Sequence, residues 1–214
     1  PLDELFTLYM YFLRAKQRNT NTTTEALRKF YEKDTYKALK SETTLDELEI
    51  LIKFWYDVNN QDLNRFSDKI LRLLFVLNYA PNGMWYYFVS VYFMHNKHSD
   101  GTLEENAFLK FLERTIGFIW AYALTNPGVN ALRTPIYREM VNLINGKEVT
   151  FADFKFDRSN LEGIIKNYRF LNQRQITRSM ITWWAYQNSQ QVLLPLESKF
   201  DIEHIYARNR VKNE

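Results

Sequence analysis

The run Met84 to Met94, MWYYFVSVYFM, constrains this chain more than any other stretch. It carries one serine and no charge, and it follows the turn signature Pro81-Asn82-Gly83. A membrane span takes about 20 apolar residues, so eleven are too few. Wound as a helix, the run is apolar on every side. Such a helix has no face to offer water and is stable only when other elements surround it. The remainder of the chain must therefore supply a shell of amphipathic elements.

It does so helix by helix. Residues 2–17 place Leu2, Leu5, Phe6, Tyr9, Met10, Phe12 and Leu13 at helical spacing. A polar loop, Asn19 to Thr24, leads to a charged helix from Glu25 to Leu39. Thr44-Leu-Asp-Glu47, Thr102-Leu-Glu-Glu105 and Ser159-Asn-Leu-Glu162 have capping-box form. In that motif a hydroxyl takes an orphan amide and the acid reaches back. The boxes predict helix starts at 44, 102 and 159, the first helix running to about Val58 and the second to about Thr125. Phe66 to Tyr79 is a further apolar helix. Thr134-Pro135 reads as an N-cap followed by proline at the first helical position. Asn145-Gly146 closes that helix, with the glycine suited to the left-handed position. Val149 to Phe156 alternates loosely and reads as a short strand or extended loop. Arg174 to Gln187 is the last good helix, and Phe200 to Ile205 is apolar and β-like. The expected fold is all-α: a single domain of eight to nine helices over residues 1–198, with a short extended segment at 199–214.

The chain has 214 residues, 46% of them hydrophobic and 16% aromatic, and no cysteine. This suits one large domain with a sizeable core. It excludes disulfides, thiolate nucleophiles and cysteine zinc sites, and fits a reducing cytoplasm. The formal charge is +3, and residues 151–214 hold all of it, with ten Lys/Arg against seven Asp/Glu. A basic C-terminal quarter suits a polyanionic partner, although ordinary surface scatter gives the same excess. There is no glycine-rich phosphate loop, no GxSxG and no HExxH. The chain begins at Pro1 directly inside a helical pattern, as a piece of a longer protein would.

Chemistry-bearing residues are sparse. Glu203-His204 is an adjacent acid–histidine pair in the extended C-terminal segment. Histidine exchanges protons near neutral pH, and a carboxylate holds divalent metals through oxygen. Arg174 and Arg178 lie one helical turn apart with Arg169 before them, and Arg208 and Arg210 follow the acid–histidine pair. All five are candidate phosphate contacts, against the alternative of a solvated face. His95 and His98 share a helix end. With no third ligand evident, they read as cations near a helix C-terminus rather than a metal pair. Trp55-Tyr56, Trp85-Tyr86-Tyr87 and Trp183-Trp184 can stack on bases, but at helical spacing they read as core.

Ile202-Glu203-His204-Ile205, placed after a helix and the Leu193-Leu-Pro-Leu196 linker, resembles the opening of the His-Asn-His nuclease domain in the GmrSD-like family of modification-dependent restriction endonucleases. The stretches Phe66–Arg72, Trp85–Tyr87 and Arg178–Trp184 are similar to the helical region before that motif. The resemblance implies a body at 1–198, the start of a truncated nuclease domain at 199–214, and a parent protein with an N-terminal NTPase half that cuts DNA in bacterial defence. It implies His204 as general base and Glu203 as ligand to a divalent metal, Mg or Mn, in the intact parent. It implies no bound cofactor and no catalysis in this chain alone. Ala207 stands where the family has proline. The family's asparagine and second histidine lie further along than Asn209 or Asn213. The alternative reading is a helical protein-interaction module in which Glu203-His204 is incidental.

Overall fold

Seven consecutive residues of one helix, Phe88 to Met94, are buried, so that helix meets neighbours all the way round, as its composition requires. The computed structural model describes residues 2–126, 128, 131–171 and 175–198. Among them are nine α-helices and no strand: α1 Leu2–Lys16, α2 Leu27–Tyr36, α3 Thr44–Asn59, α4 Asp68–Leu77, α5 Met84–Asn96, α6 Glu105–Thr125, α7 Arg133–Ile144, α8 Arg158–Lys166 and α9 Gln175–Ala185. The all-α fold expected from the sequence is the fold observed.

α5 is the axis. α1 and α7 pack on it and on each other, and α3 packs on α1 and α5. α4 packs on α6 and on α9, Trp120 of α6 also meets α9, and α8 packs on α6. Rings tie both α3 and α6 to α5. Phe54 of α3 stacks on Phe93 of α5 at 4.1 Å between centroids, and Tyr92 stacks on Phe111 of α6 at 4.0 Å. Stacked and edge-to-face ring pairs add about 0.5–1.5 kcal/mol each to the area they bury. The one serine of α5 is also used: Ser90 Oγ accepts from Trp55 Nε1 (2.9 Å) and donates to the Tyr86 carbonyl (2.9 Å).

None of the three capping boxes forms. Thr44 is buried, and its hydroxyl donates to the Ala38 carbonyl (2.7 Å). Glu47 turns to α1, where its carboxylate accepts from Tyr9 (2.5 Å) and pairs with Lys16 (3.4 Å). At α6, Thr102 bonds Asp100, and Glu104 caps the helix by accepting from the amides of Asn106 and Ala107. At α8, Asp157 caps by accepting from the Asn160 amide, while Glu162 pairs with Arg158. In each case a competing partner was within reach of the side chain that the motif required.

Other expectations needed adjustment. The charged helix after the first loop breaks at Lys33, and Asp34, Thr35 and Tyr36 all take positive φ. Nothing apolar on Lys33-Asp34-Thr35 holds that turn against the core. α7 begins at Arg133, so Thr134 is no cap and Pro135 sits in the first turn. There its missing amide still has no intrahelical acceptor to lose. The end of α7 is as expected. Gly146 takes φ +74°, its amide bonds the Leu143 carbonyl and the Lys147 amide bonds Asn142, which is a Schellman motif. Residues 149–156 are loop rather than strand, pinned by Phe151 stacking on Phe118 at 3.8 Å.

Candidate functional site

The approach to the acid–histidine motif is fastened to the body. Between α9 and Ser198 the chain has no helix or strand, yet four side chains hold it. Arg72 of α4 lies over the Tyr186 ring at 4.9 Å and donates to the carbonyls of Gln191 (2.6 Å) and Tyr186 (3.4 Å). Its Nε is paired with Asp68. Gln61 donates to the Leu194 carbonyl (2.9 Å), and Tyr79 donates to the Ser198 carbonyl (3.3 Å). The buried Tyr186 hydroxyl accepts the Leu194 amide (3.2 Å). Burial raises the Tyr186 phenol, with the Leu194 amide and Arg72 acting against it. Leu193, Leu194 and Leu196 pack on the core. The Leu-Leu-Pro-Leu linker is thus an anchored strap up to Ser198.

His204, Glu203, Arg174, Arg208 and Arg210 lie outside the described residues, as do the segment 199–214 and its expected β-like run. Arg178 is half-buried on α9 beside Tyr79, whose phenol it pulls down against the larger effect of burial. Arg169 is exposed after α8 and has no ion-pair partner among the described residues. His95 and His98 stand at and beyond the α5 C-terminus. Partial burial lowers the His95 imidazole, and it lines an open groove of about 440 Å³ with Tyr92, Glu104, Lys110 and Lys147. Among the described residues no group of three or more acidic or histidine side chains is arranged to hold a metal. No described helix is long and apolar enough to cross a membrane.

The aromatic pairs divide. Trp55 and Trp85 are core residues, whereas Tyr56 is 66% exposed. Trp183 meets Trp120 edge-on at 5.7 Å, while Trp184 is 74% exposed. Exposure makes Trp184 available for stacking but does not by itself make it a platform.

Three buried charged groups escaped the sequence reading: Arg14, Glu139 and Asp57, the last 4% exposed and ion-paired with Arg65 at 3.3 Å. Arg14 is 2% exposed. It lies over Tyr137 at 5.3 Å and donates to the carbonyls of Asn21 (2.5 Å) and Thr23 (3.2 Å), tying down the loop after α1. Its position, four after Met10 and three after Tyr11, put it in the buried stripe, which was the available signal. Glu139 is buried on α7 and accepts from Asn142 Nδ2 (3.2 Å), while its Oε2 has no hydrogen-bond partner. Burial raises its carboxyl, opposed by Asn142 and the amides of Phe151 and Thr150. No family model, curated protein or solved structure matches this chain.

Proposed function

We propose that this protein is the helical body of a metal-dependent DNA endonuclease of the GmrSD-like restriction type, the part that delivers the nuclease domain. The observation that carries the reading is the order of features along the chain. The Ile202-Glu203-His204-Ile205 motif begins four residues after Ser198, whose carbonyl accepts from Tyr79 and so holds the strap to the body. A fixed strap transmits the orientation of the body to whatever follows it. Restricting the approach of a reacting group in this way lowers the entropic cost of positioning it.

In this reading His204 removes a proton from the attacking water, and Glu203 holds the metal. A carboxylate beside an imidazole is donor chemistry that Mg or Mn accepts. When bound, the metal supplies stabilisation of negative charge on the phosphate. Arg208 and Arg210, together with Arg169, Arg174 and Arg178, supply phosphate contacts that position the duplex without reading its sequence. The NTPase half of the parent couples to the body.

The test is cleavage of modified and unmodified duplex DNA by the full-length gene product with Mg or Mn, beside His204→Ala and Glu203→Gln. We expect metal-dependent cutting that falls about 10²–10⁴-fold in His204→Ala, the range a general base contributes. Undiminished cutting by that variant sinks the assignment. The reading also requires an asparagine and a second histidine within one further ββα unit in the gene.

The interaction-module reading has one observation in its favour. Leu45, Ile52 and Tyr56 are 71%, 49% and 66% exposed and follow one another at seven- and four-residue spacing on α3. A row of exposed apolar side chains on one helix face is a common form of protein contact.

A further inference from the structure

We infer that the cleft where α1, α3, α4 and α5 converge is a binding site for an alkylammonium group, carried by a small molecule or by a lysine side chain. The cleft encloses about 520 Å³. Four rings line it: Trp55, Trp85, Tyr86 and Tyr87. Three of them form one cluster, with Trp55 to Tyr86 at 3.8 Å, Trp85 to Tyr86 at 5.5 Å and Trp55 to Trp85 at 6.0 Å. Tyr86 and Tyr87 are the part-exposed rings of the four, backed by Trp55 and Trp85 at 5% and 9% exposure. The electron-rich faces of accessible rings attract cations.

The charge of the cleft points the same way. Glu4 is the one ionisable carboxylate in its lining, and no lysine, arginine or histidine joins it. Glu4 has no ion-pair partner among the described residues. Its carboxylate, secondary to burial, helps hold the phenols of Tyr86 and Tyr87 above their usual range. Arg133, which acts on Tyr87 in the opposite sense, lines the neighbouring cavity beside Tyr11. An anion would meet a carboxylate here and no cation, so phosphate and carboxylate ligands are disfavoured.

Helix ends reinforce this. Asn59 is the last residue of α3 and Asn78 is the C-cap of α4, so two negative dipole ends meet at the cleft. Two opposing ends, the starts of α1 and α5, also reach the cleft and are partly spent internally, because Glu4 itself sits in the first turn of α1 and Asn82 Oδ1 accepts the Met84 amide at 3.0 Å. The amides of Asn59 and Asn78 leave room to fix the polar part of a ligand. A neutral sugar would also find rings, amides and a carboxylate to accept its hydroxyls, but it brings no positive charge for Glu4 and the helix ends to attract.

The experiment is a titration of the protein, followed by amide and indole NMR shifts, with three probes. Choline represents a free ammonium compound and Nα-acetyl-lysine methylamide a side chain. 3,3-Dimethylbutanol is the neutral isostere of choline. We expect saturable shifts of the Trp55 and Trp85 indoles with at least one ammonium probe, binding about tenfold weaker for the isostere, and a comparable loss in Glu4→Gln. Glu4 is exposed, so that variant keeps the fold, and an unchanged spectrum verifies it. The tighter ammonium probe identifies the source. Equal binding of the isostere, equal binding by Glu4→Gln, or no saturable shift overturns the inference.

Discussion

Around α5 the side chains meet rings and methyl groups, whereas around α9 they meet hydroxyls and carbonyls. Phe88, Val89 and Val91 are fully enclosed on α5, and Phe93 stacks on Phe54. On α9 the enclosed residues include Thr177, Ser179 and Thr182. Ser179 accepts from Trp120 Nε1 (2.9 Å) and donates to the Val76 carbonyl (3.0 Å), and Thr177 shares a hydrogen bond with Tyr168 (3.0 Å). The strap after α9 continues this pattern through Arg72, Gln61 and Tyr79. Apolar packing is strong but tolerates small shifts in direction. Hydrogen bonds contribute less each, and they fix direction. The centre of the molecule is built for stability, and its C-terminal side for alignment.

The sharpest way to break this contrast is at its strong end. Phe93→Ala removes a ring that is 2% exposed and stacked on Phe54, and Phe54 in turn touches Phe66 and Phe108. The lost transfer energy and the cavity together cost about 3–5 kcal/mol. Urea unfolding should show the midpoint falling with little change in slope. A loss under 1 kcal/mol would mean that the aromatic centre repacks freely and is not what stabilises the fold.

Ser179→Ala tests the other region. It leaves the Trp120 Nε1 proton without its acceptor and costs about 1–3 kcal/mol. Hydrogen exchange should accelerate over α9 and residues 186–198, with the α5 amides nearly unmoved. Equal acceleration in α5 would show one cooperative unit and erase the distinction.

How far each region could be read in advance follows the same division. Apolar packing leaves a periodic trace, and so α5 was legible from MWYYFVSVYFM, and α4 and α6 from their own apolar spacing. Gly146 was legible because its backbone position suits glycine. Directed polar contacts leave no such trace. Thr44, Glu47 and Ser159 fitted a local motif, yet Thr44 and Glu47 serve partners on other segments, and α8 is capped two residues earlier than Ser159. No local pattern marked Ser179 or Arg72, because their partners Val76, Trp120 and Gln191 lie 50 or more positions away in the chain. The aromatic cleft was hidden for a similar reason. Trp55 and Trp85 were expected in the core and are there, but the space beside them arises from the meeting of four helices with Glu4, which no local pattern encodes. The motif at Glu203-His204 rests on its resemblance, since it lies outside the described residues.

The smallest expected effect has the opposite sign and lies inside the apolar side, at Glu139. Burial raises its carboxyl above the ordinary 4.5, and Asp153 adds to the rise against Asn142 and two backbone amides. For a group whose pKa rises on folding, the stabilisation is fully present below the unfolded value. It is lost as pH climbs through the folded value. Above the unfolded value this carboxyl is therefore a burden on the fold, with Oε2 enclosed and unpartnered. Glu139→Gln removes the titrating group and keeps an oxygen for the amides of Thr150 and Phe151. It should stabilise by about 1 kcal/mol at neutral pH, less whatever the new amide group loses by lacking an acceptor. The difference from the parent should shrink as pH falls toward 4.5, which thermal unfolding across that range would measure. A difference that does not vary with pH would mean that Glu139 gains or loses its proton alike in the folded and unfolded chain, solvated by local opening of the 149–156 loop. In that case the Phe118–Phe151 stack would prove looser than the other ring contacts, and the apolar side would have a soft edge where that loop crosses it.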